Sequence, residues 1–338
     1  MQYRQLGSTD LIVSEVGFGT WTLASDWWGE IEDKDRLLRT ALDAGITFFD
    51  AAPVYGPEGA GEQVLADLLT DHGDEIVLTT KCGYDINSSR ATPGQSARPH
   101  DWRPESIRAQ LDASLRRLGV DHIDLYQLHN TRIEPILDDE LWATLADQRE
   151  AGKIREIGVA LGPAIGWVEE GLHAIRERPI CTLQTVFNVL EQDPGLTFAA
   201  EPNVANGTVS LMSRVPHASD TLSGRITRDT TFPAGDHRRH RNPDNMTDLF
   251  DKAETLSFLW ESGARTMGQA AVAGILANPA FATVLPTFVT VEDVQEYAGA
   301  ADVALTADEH ARLDALWSDN FGIVNRFEMP LKSSVGTG

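Results

Sequence analysis

Apolar runs alternate with amphipathic stretches along most of this chain. The runs lie at 16–21, 46–52, 76–82, 123–129, 154–161, 182–188, 209–214 and 283–287. Most are continuous rather than alternating, the pattern of strands buried on both faces of a parallel sheet. Helical spacing appears between them. Residues 33–45 carry Leu37, Leu38, Ala41 and Leu42 and stop at Gly45, a C-terminal signal. Pro104 opens 104–118 as a first-turn proline. Ile107, Leu111, Ser114, Leu115 and Leu118 follow at helical spacing, and Gly119 closes the segment. Residues 139–151 and 267–278 read the same way.

Eight strands alternating with helices predict an α/β chain folded as a (β/α)8 TIM barrel, with a doubly wound open sheet as the other arrangement. Two segments stand outside the repeat. Residues 3–14 alternate about Gly7-Ser8-Thr9-Asp10 and predict an N-terminal β-hairpin. Residues 223–246 are polar and predict a long loop after strand 7, of the kind that usually covers a site. No linker divides the chain. Residues 1–330 are therefore expected to form a single domain, and residues 331–338 a disordered tail.

Composition narrows the partners. Lys+Arg is 28 and Asp+Glu is 51, a net charge of −23. Such a chain repels phosphate backbones and anionic lipid, so no nucleic acid and no membrane is expected. The acidity fits both solubility through self-repulsion and a salt-rich habitat. No signal-peptide pattern and no membrane-spanning run is visible, which leaves a cytoplasmic location as the default. Cys82 and Cys181 sit apart in apolar runs, and no HExxH or Cys/His spacing occurs, so neither disulfide nor metal is expected. A homo-oligomer is compatible with the helical faces.

Lysine occurs only at Lys34, Lys81, Lys153, Lys252 and Lys332. Lys81 ends an apolar strand, where a buried ammonium is costly unless paired. Asp50, ending the preceding strand, is the expected partner. Tyr55 follows Asp50, and His129 ends the next strand. Polar groups at the C-terminal ends of barrel strands face the active site. Singly, each has a structural explanation; on three successive strand ends they form a candidate site.

These residues carry a resemblance. Tyr3-Arg4-Gln5-Leu6-Gly7, Gly17-Phe18-Gly19-Thr20-Trp21, Asp50-Ala51-Ala52-Pro53-Val54-Tyr55-Gly56, Lys81, Leu125-Tyr126-Gln127-Leu128-His129 and Gly152-Lys153-Ile154-Arg155-Glu156-Ile157-Gly158-Val159 together resemble the aldo-keto reductases. The likeness runs over residues 3–317. It implies a (β/α)8 barrel that holds a nicotinamide cofactor without a Rossmann fold, and no GxGxxG is present. It implies an NAD(P)-dependent oxidoreductase acting on an aldehyde, ketone or sugar hemiacetal. Tyr55 would supply the proton, Lys81 would favour the phenolate, Asp50 would hold Lys81, and His129 would bond the substrate oxygen. Other readings are a non-redox isomerase or lyase using the same Tyr55 and Lys81, and a cofactor-sensing module resembling potassium-channel β subunits.

The resemblance places cofactor contacts at Thr20, Trp21, Asp50, Gln184, Ser213, Arg214, Pro216, Leu222, Gly224, Pro286, Thr287 and Asp293. Aromatics on the expected active face, Trp21, Trp27, Trp28, Tyr84 and Trp102, predict with Asn130 an apolar-walled substrate pocket. The chain also departs from the family. Ala160 and Leu161 replace the usual Ser-Asn pair on the nicotinamide carboxamide. Arg214 stands where relatives often stack an aromatic ring. No Lys or Arg lies between Arg265 and Arg312, and Asp293 and Tyr297 occupy the adenine positions. A 2′-phosphate needs a cation, whereas a carboxylate beside a ribose favours the free 2′-hydroxyl. The resemblance keeps NADP(H) slightly ahead of NAD(H). The basic knot His237-Arg238-Arg239-His240-Arg241 either pairs with acids such as Asp236 and Asp244 or covers the cofactor phosphates.

Overall fold

The computed structural model describes all residues except 26, 27, 29, 30, 32, 89–97, 234, 235 and 335–338. Trp27 therefore lies outside the described residues. A hairpin, β1 (Tyr3–Gln5) and β2 (Ile12–Ser14), precedes eight strands. These are β3 (Phe18–Gly19), β4 (Phe48–Asp50), β5 (Val77–Cys82), β6 (Ile123–His129), β7 (Ile154–Ala160), β8 (Thr182–Val186), β9 (Ser210–Arg214) and β10 (Phe281–Leu285). They are parallel and pair in chain order. The ring comes round where Val16 bridges Val284: Gly17 N donates to Val284 O at 2.9 Å, and Val284 N to Glu15 O at 2.8 Å. The barrel, rather than the open sheet, is the fold.

Helices cover the outside. Pro104–Leu118 turns Ile107, Leu111, Ser114 and Leu118 inward and ends at Gly119, whose φ of 71° suits the left-handed cap. Lys34–Asp43 starts at Asp33, which accepts from Arg36 N. The hairpin packs Leu6, Leu11 and Val13 against Phe48, Leu125 and Met212. Gly7 has φ +57°, and a Cβ there would lie 2.4 Å from the Cys181 carbonyl oxygen, so only glycine fits. The hairpin thus plugs one end of the barrel and leaves the C-terminal strand ends open for chemistry.

Three segments differ from the sequence reading. The first barrel strand is shorter, because the chain turns helical over Trp21–Ala24. Thr20 precedes this turn and ties it to the next segment by donating its hydroxyl to Gly61 O at 2.7 Å. The long loop is also shorter at its far end: helix Pro243–Thr255 begins inside it, with the Asn242 side chain accepting from Asp244 N and Asn245 N. Part of the expected tail is held, since Trp167 N donates to Lys332 O at 2.6 Å and Lys332 N to Ile165 O at 2.9 Å. No helix among the described residues is long and apolar enough to cross a membrane.

Candidate active site

β4, β5 and β6 end side by side, and register sets their side chains. Asp50 lies opposite Thr79, and Lys81 opposite Gln127. Lys81 is 1% exposed. Its Nζ donates to Asp50 Oδ1 at 2.7 Å, to Ala51 O at 2.8 Å and to Tyr55 Oη at 3.4 Å. Three acceptors take three ammonium protons, which makes burial of the charge tolerable. The His129 ring meets the Tyr55 ring edge-on at 5.7 Å. Burial, with the Lys81 and Arg214 charges, pushes the His129 imidazole well below its ordinary value, so it is neutral. His100, pushed to about 4 by burial, lies 3.0 Å through Nε2 from the His129 carbonyl oxygen.

A cavity of about 200 Å³ opens above these groups. Tyr55, Tyr84, His129, Asn130 and Gln184 line its floor. Asn130, at φ 51°, donates through Nδ2 to Tyr84 Oη at 2.9 Å. Burial raises the Tyr84 phenol, opposed by this bond. Trp21, Trp28, Arg214, Pro216, Pro286 and Thr287 also reach the wall. Arg214 and Arg241 line it without an ion pair among the described residues.

Several residues expected to touch the cofactor or substrate are not among those lining the cavity. Thr20 and Ser213 spend their hydroxyls on Gly61 O and Phe187 O. Leu222 is fully buried in a second apolar cluster. Gly224 serves a turn at φ +75°. Trp102 stacks on His100 at 5.0 Å, away from the cavity wall. Asp293 is engaged through its Oδ2. It accepts from Val289 N and Thr290 N, each at 2.9 Å, and from Arg225 Nη1 at 2.9 Å, closing the cap of helix Val291–Ala298. Tyr297 is fully buried against His217.

The loop after β9 brings what the stretch between Arg265 and Arg312 lacks. Arg225 bridges Asp293 and Asp220, the latter at 3.0 Å. Arg238 pairs with Asp236, as expected, and with Asp220 rather than Asp244. Its guanidinium lies 3.9 Å from the Trp28 ring, which meets Trp21 edge-on at 5.1 Å. The loop is thereby laid across the rim. Sequence reasoning also missed Gln127, whose Nε2 donates to Asp50 Oδ1 at 3.2 Å. Strand parity could have found it, since residues 125, 127 and 129 share one face. Among the described residues no cluster of three His, Cys, Asp or Glu could hold a metal.

Comparisons with known proteins agree with this geometry. A family model described as "Aldo/keto reductase family" matches residues 15–318. The aldo-keto reductase YhdN of Bacillus subtilis is 30% identical over 246 residues, covering 71% of this chain and 69% of that protein. The NADH-specific methylglyoxal reductase of Escherichia coli is 28% identical over 315 residues, 89% of this chain and 94% of that protein. The holo structure of aldo-keto reductase AKR11C1 from Bacillus halodurans superposes with a TM-score of 0.73 at 29% identity, covering 94% of this chain and 96% of that one.

Proposed function

This chain belongs to the aldo/keto reductase family and is an NAD(P)-dependent oxidoreductase, and from that premise we propose that Tyr55, Lys81, Asp50 and His129 carry its proton chemistry. The observation that supports this most is the contact chain from Asp50 Oδ1 through Lys81 Nζ to Tyr55 Oη at the cavity floor. The substrate is a small carbonyl compound; we extend this to an aldehyde, ketone or sugar hemiacetal. We take residues 1–330 as a single domain working in the cytoplasm.

The residues present suit a dinucleotide. Gln184 offers an amide at the floor, and Arg214 and Arg241 offer charge with no carboxylate partner among the described residues. Ala160 and Leu161, both buried, offer no side-chain donor to a carboxamide. When bound, the nicotinamide cofactor supplies a hydride to the carbonyl carbon. Tyr55 gives its hydroxyl proton to the carbonyl oxygen as that oxygen gains charge. Lys81 stabilises the phenolate left behind, and Asp50 keeps the ammonium paired. Neutral His129 offers an N–H to the same oxygen without losing a proton to it. In alcohol oxidation the proton returns to Tyr55.

NADP(H) is placed ahead of NAD(H) because Arg225 brings a cation to Asp293 and Thr287 O. The name of the Escherichia coli relative states the opposite preference, and two carboxylates already engage Arg225, so the margin is small. Tyr55→Phe tests the whole reading. Turnover is expected to fall on the order of a thousandfold, while fluorescence titration gives NADPH and NADH affinities within about twofold of the parent, NADPH the tighter. Retained turnover refutes the assignment.

A further inference from the structure

Strand β6 is buried along its whole length, yet it carries a glutamine two residues before His129. Gln127 is 0% exposed and does not reach the cavity wall. Its Nε2 donates to Asp50 Oδ1 at 3.2 Å and to Thr79 Oγ1 at 2.9 Å. Its Oε1 is buried and has no partner among the described residues. Such an orphaned oxygen costs about 1–3 kcal/mol, and a methionine or leucine of similar volume would avoid the cost. Stability alone is therefore a poor reason for a glutamine here. The reverse amide orientation would set Oε1 against the Asp50 carboxylate, so the acceptors define the orientation.

We propose that Gln127 is a positioning residue that holds the Asp50 carboxylate in register with Lys81 and, through Lys81, with Tyr55. Asp50 Oδ1 accepts from Lys81 on β5 and Gln127 on β6. Two donors from two strands define where that oxygen sits. Gln184 Nε2 reaches the other oxygen, Oδ2, at 3.3 Å. Gln184 lines the cavity, however, so a bound ligand competes for its amide. Gln127 is sealed off and holds Asp50 whatever the cavity contains. The charged or titratable groups facing this cluster are Lys81 from β5, Tyr55 from the loop after β4, Tyr84 and His100 from the segment after β5, His129 from β6 and Arg214 from β9. Gln127 is neutral, so replacing it changes the geometry of the relay without changing its net charge. The proposal rests on the reading of Tyr55 as proton donor.

The test is Gln127→Met, with Gln127→Leu as a second variant, assayed for carbonyl reduction between about pH 5 and pH 10. Loss of the positioning bond is expected to lower kcat about tenfold and displace one limb of the pH profile by about half a unit. KM and cofactor affinity stay within about twofold, and the thermal midpoint is unchanged or higher. An unchanged kcat with an unmoved profile overturns the proposal. A lower kcat with a lower midpoint and an unmoved profile also overturns it, because that is a packing defect. Tyr55→Phe runs alongside. Turnover surviving there refutes the reading of the site; turnover lost there with Gln127→Met unaffected refutes only the role of Gln127.

Discussion

At the cavity floor one carboxylate, Asp50, meets one ammonium, Lys81, between strand ends locked into the sheet. At the rim three carboxylates, Asp220, Asp236 and Asp293, share two guanidinium groups, Arg225 and Arg238. The backbones differ as well. β4 to β6 are regular strands. The loop after β9 holds Val215, Ala218, Ser219 and Asp220 at positive φ, each a conformation that costs about 1–3 kcal/mol in a non-glycine residue. At the floor Lys81 and Asp50 are each other's only charged partner among the described residues, so neither can exchange it for another. The two paired rim arginines have three carboxylates between them, so either guanidinium can exchange one carboxylate for another, or for a phosphate, without being left bare.

The largest effect should come from breaking the floor pair. Lys81→Met leaves Asp50 buried and uncompensated, and is expected to abolish turnover and destabilise the fold by about 3–5 kcal/mol in urea unfolding. Adding Asp50→Asn should recover stability but not turnover. Wild-type-like stability in the single variant would remove the contrast between floor and rim.

A smaller effect is expected at the rim. Asp220→Asn leaves Arg225 its Asp293 partner and Arg238 its Asp236 partner, while taking one negative charge from the cavity wall. NADPH should bind several-fold tighter, and the gain should shrink with added salt. Unaltered affinity in a salt series would mean that the carboxylate does not compete with the cofactor phosphates.

The smallest and most gradual effect is on pH stability. His100 beside the floor and His217 near the rim are both pushed to about 4, chiefly by burial, and His129 lies well below its usual range. The unfolded chain takes up protons below about pH 6.5, whereas the native chain does not. The stability these groups contribute is present above that value and lost as pH falls toward 4. Urea midpoints should drop steadily between pH 7 and pH 5, and His217→Gln should flatten the slope by removing the rim share. A parent midpoint that stays level over that range would show that these rings are not held neutral.

Much of the floor was legible in the chain. Apolar runs predicted the barrel strands, and a rare lysine ending one of them called for the aspartate ending its neighbour. That inference works because parallel strands in chain order put successive strand ends side by side. Trp102 was misplaced because the same aromatic residue packs a core or lines a cavity according to how its loop folds back. Asp293 was expected at the adenine end of the cofactor, and its Oδ2 also caps a helix start by accepting from two backbone N–H groups, which the chain alone does not show. Arg225 was overlooked because it is near Asp293 in space and far from it along the chain.

The sequence by itself determined the barrel, its plugging hairpin and the residue types at the strand ends, because periodicity and strand-end chemistry are local properties. Only the tertiary structure decided which carboxylate each loop arginine meets, and that Gln127 aims at Asp50. Those outcomes depend on register between strands and on the path of a strained loop, and neither leaves a periodic trace in the chain.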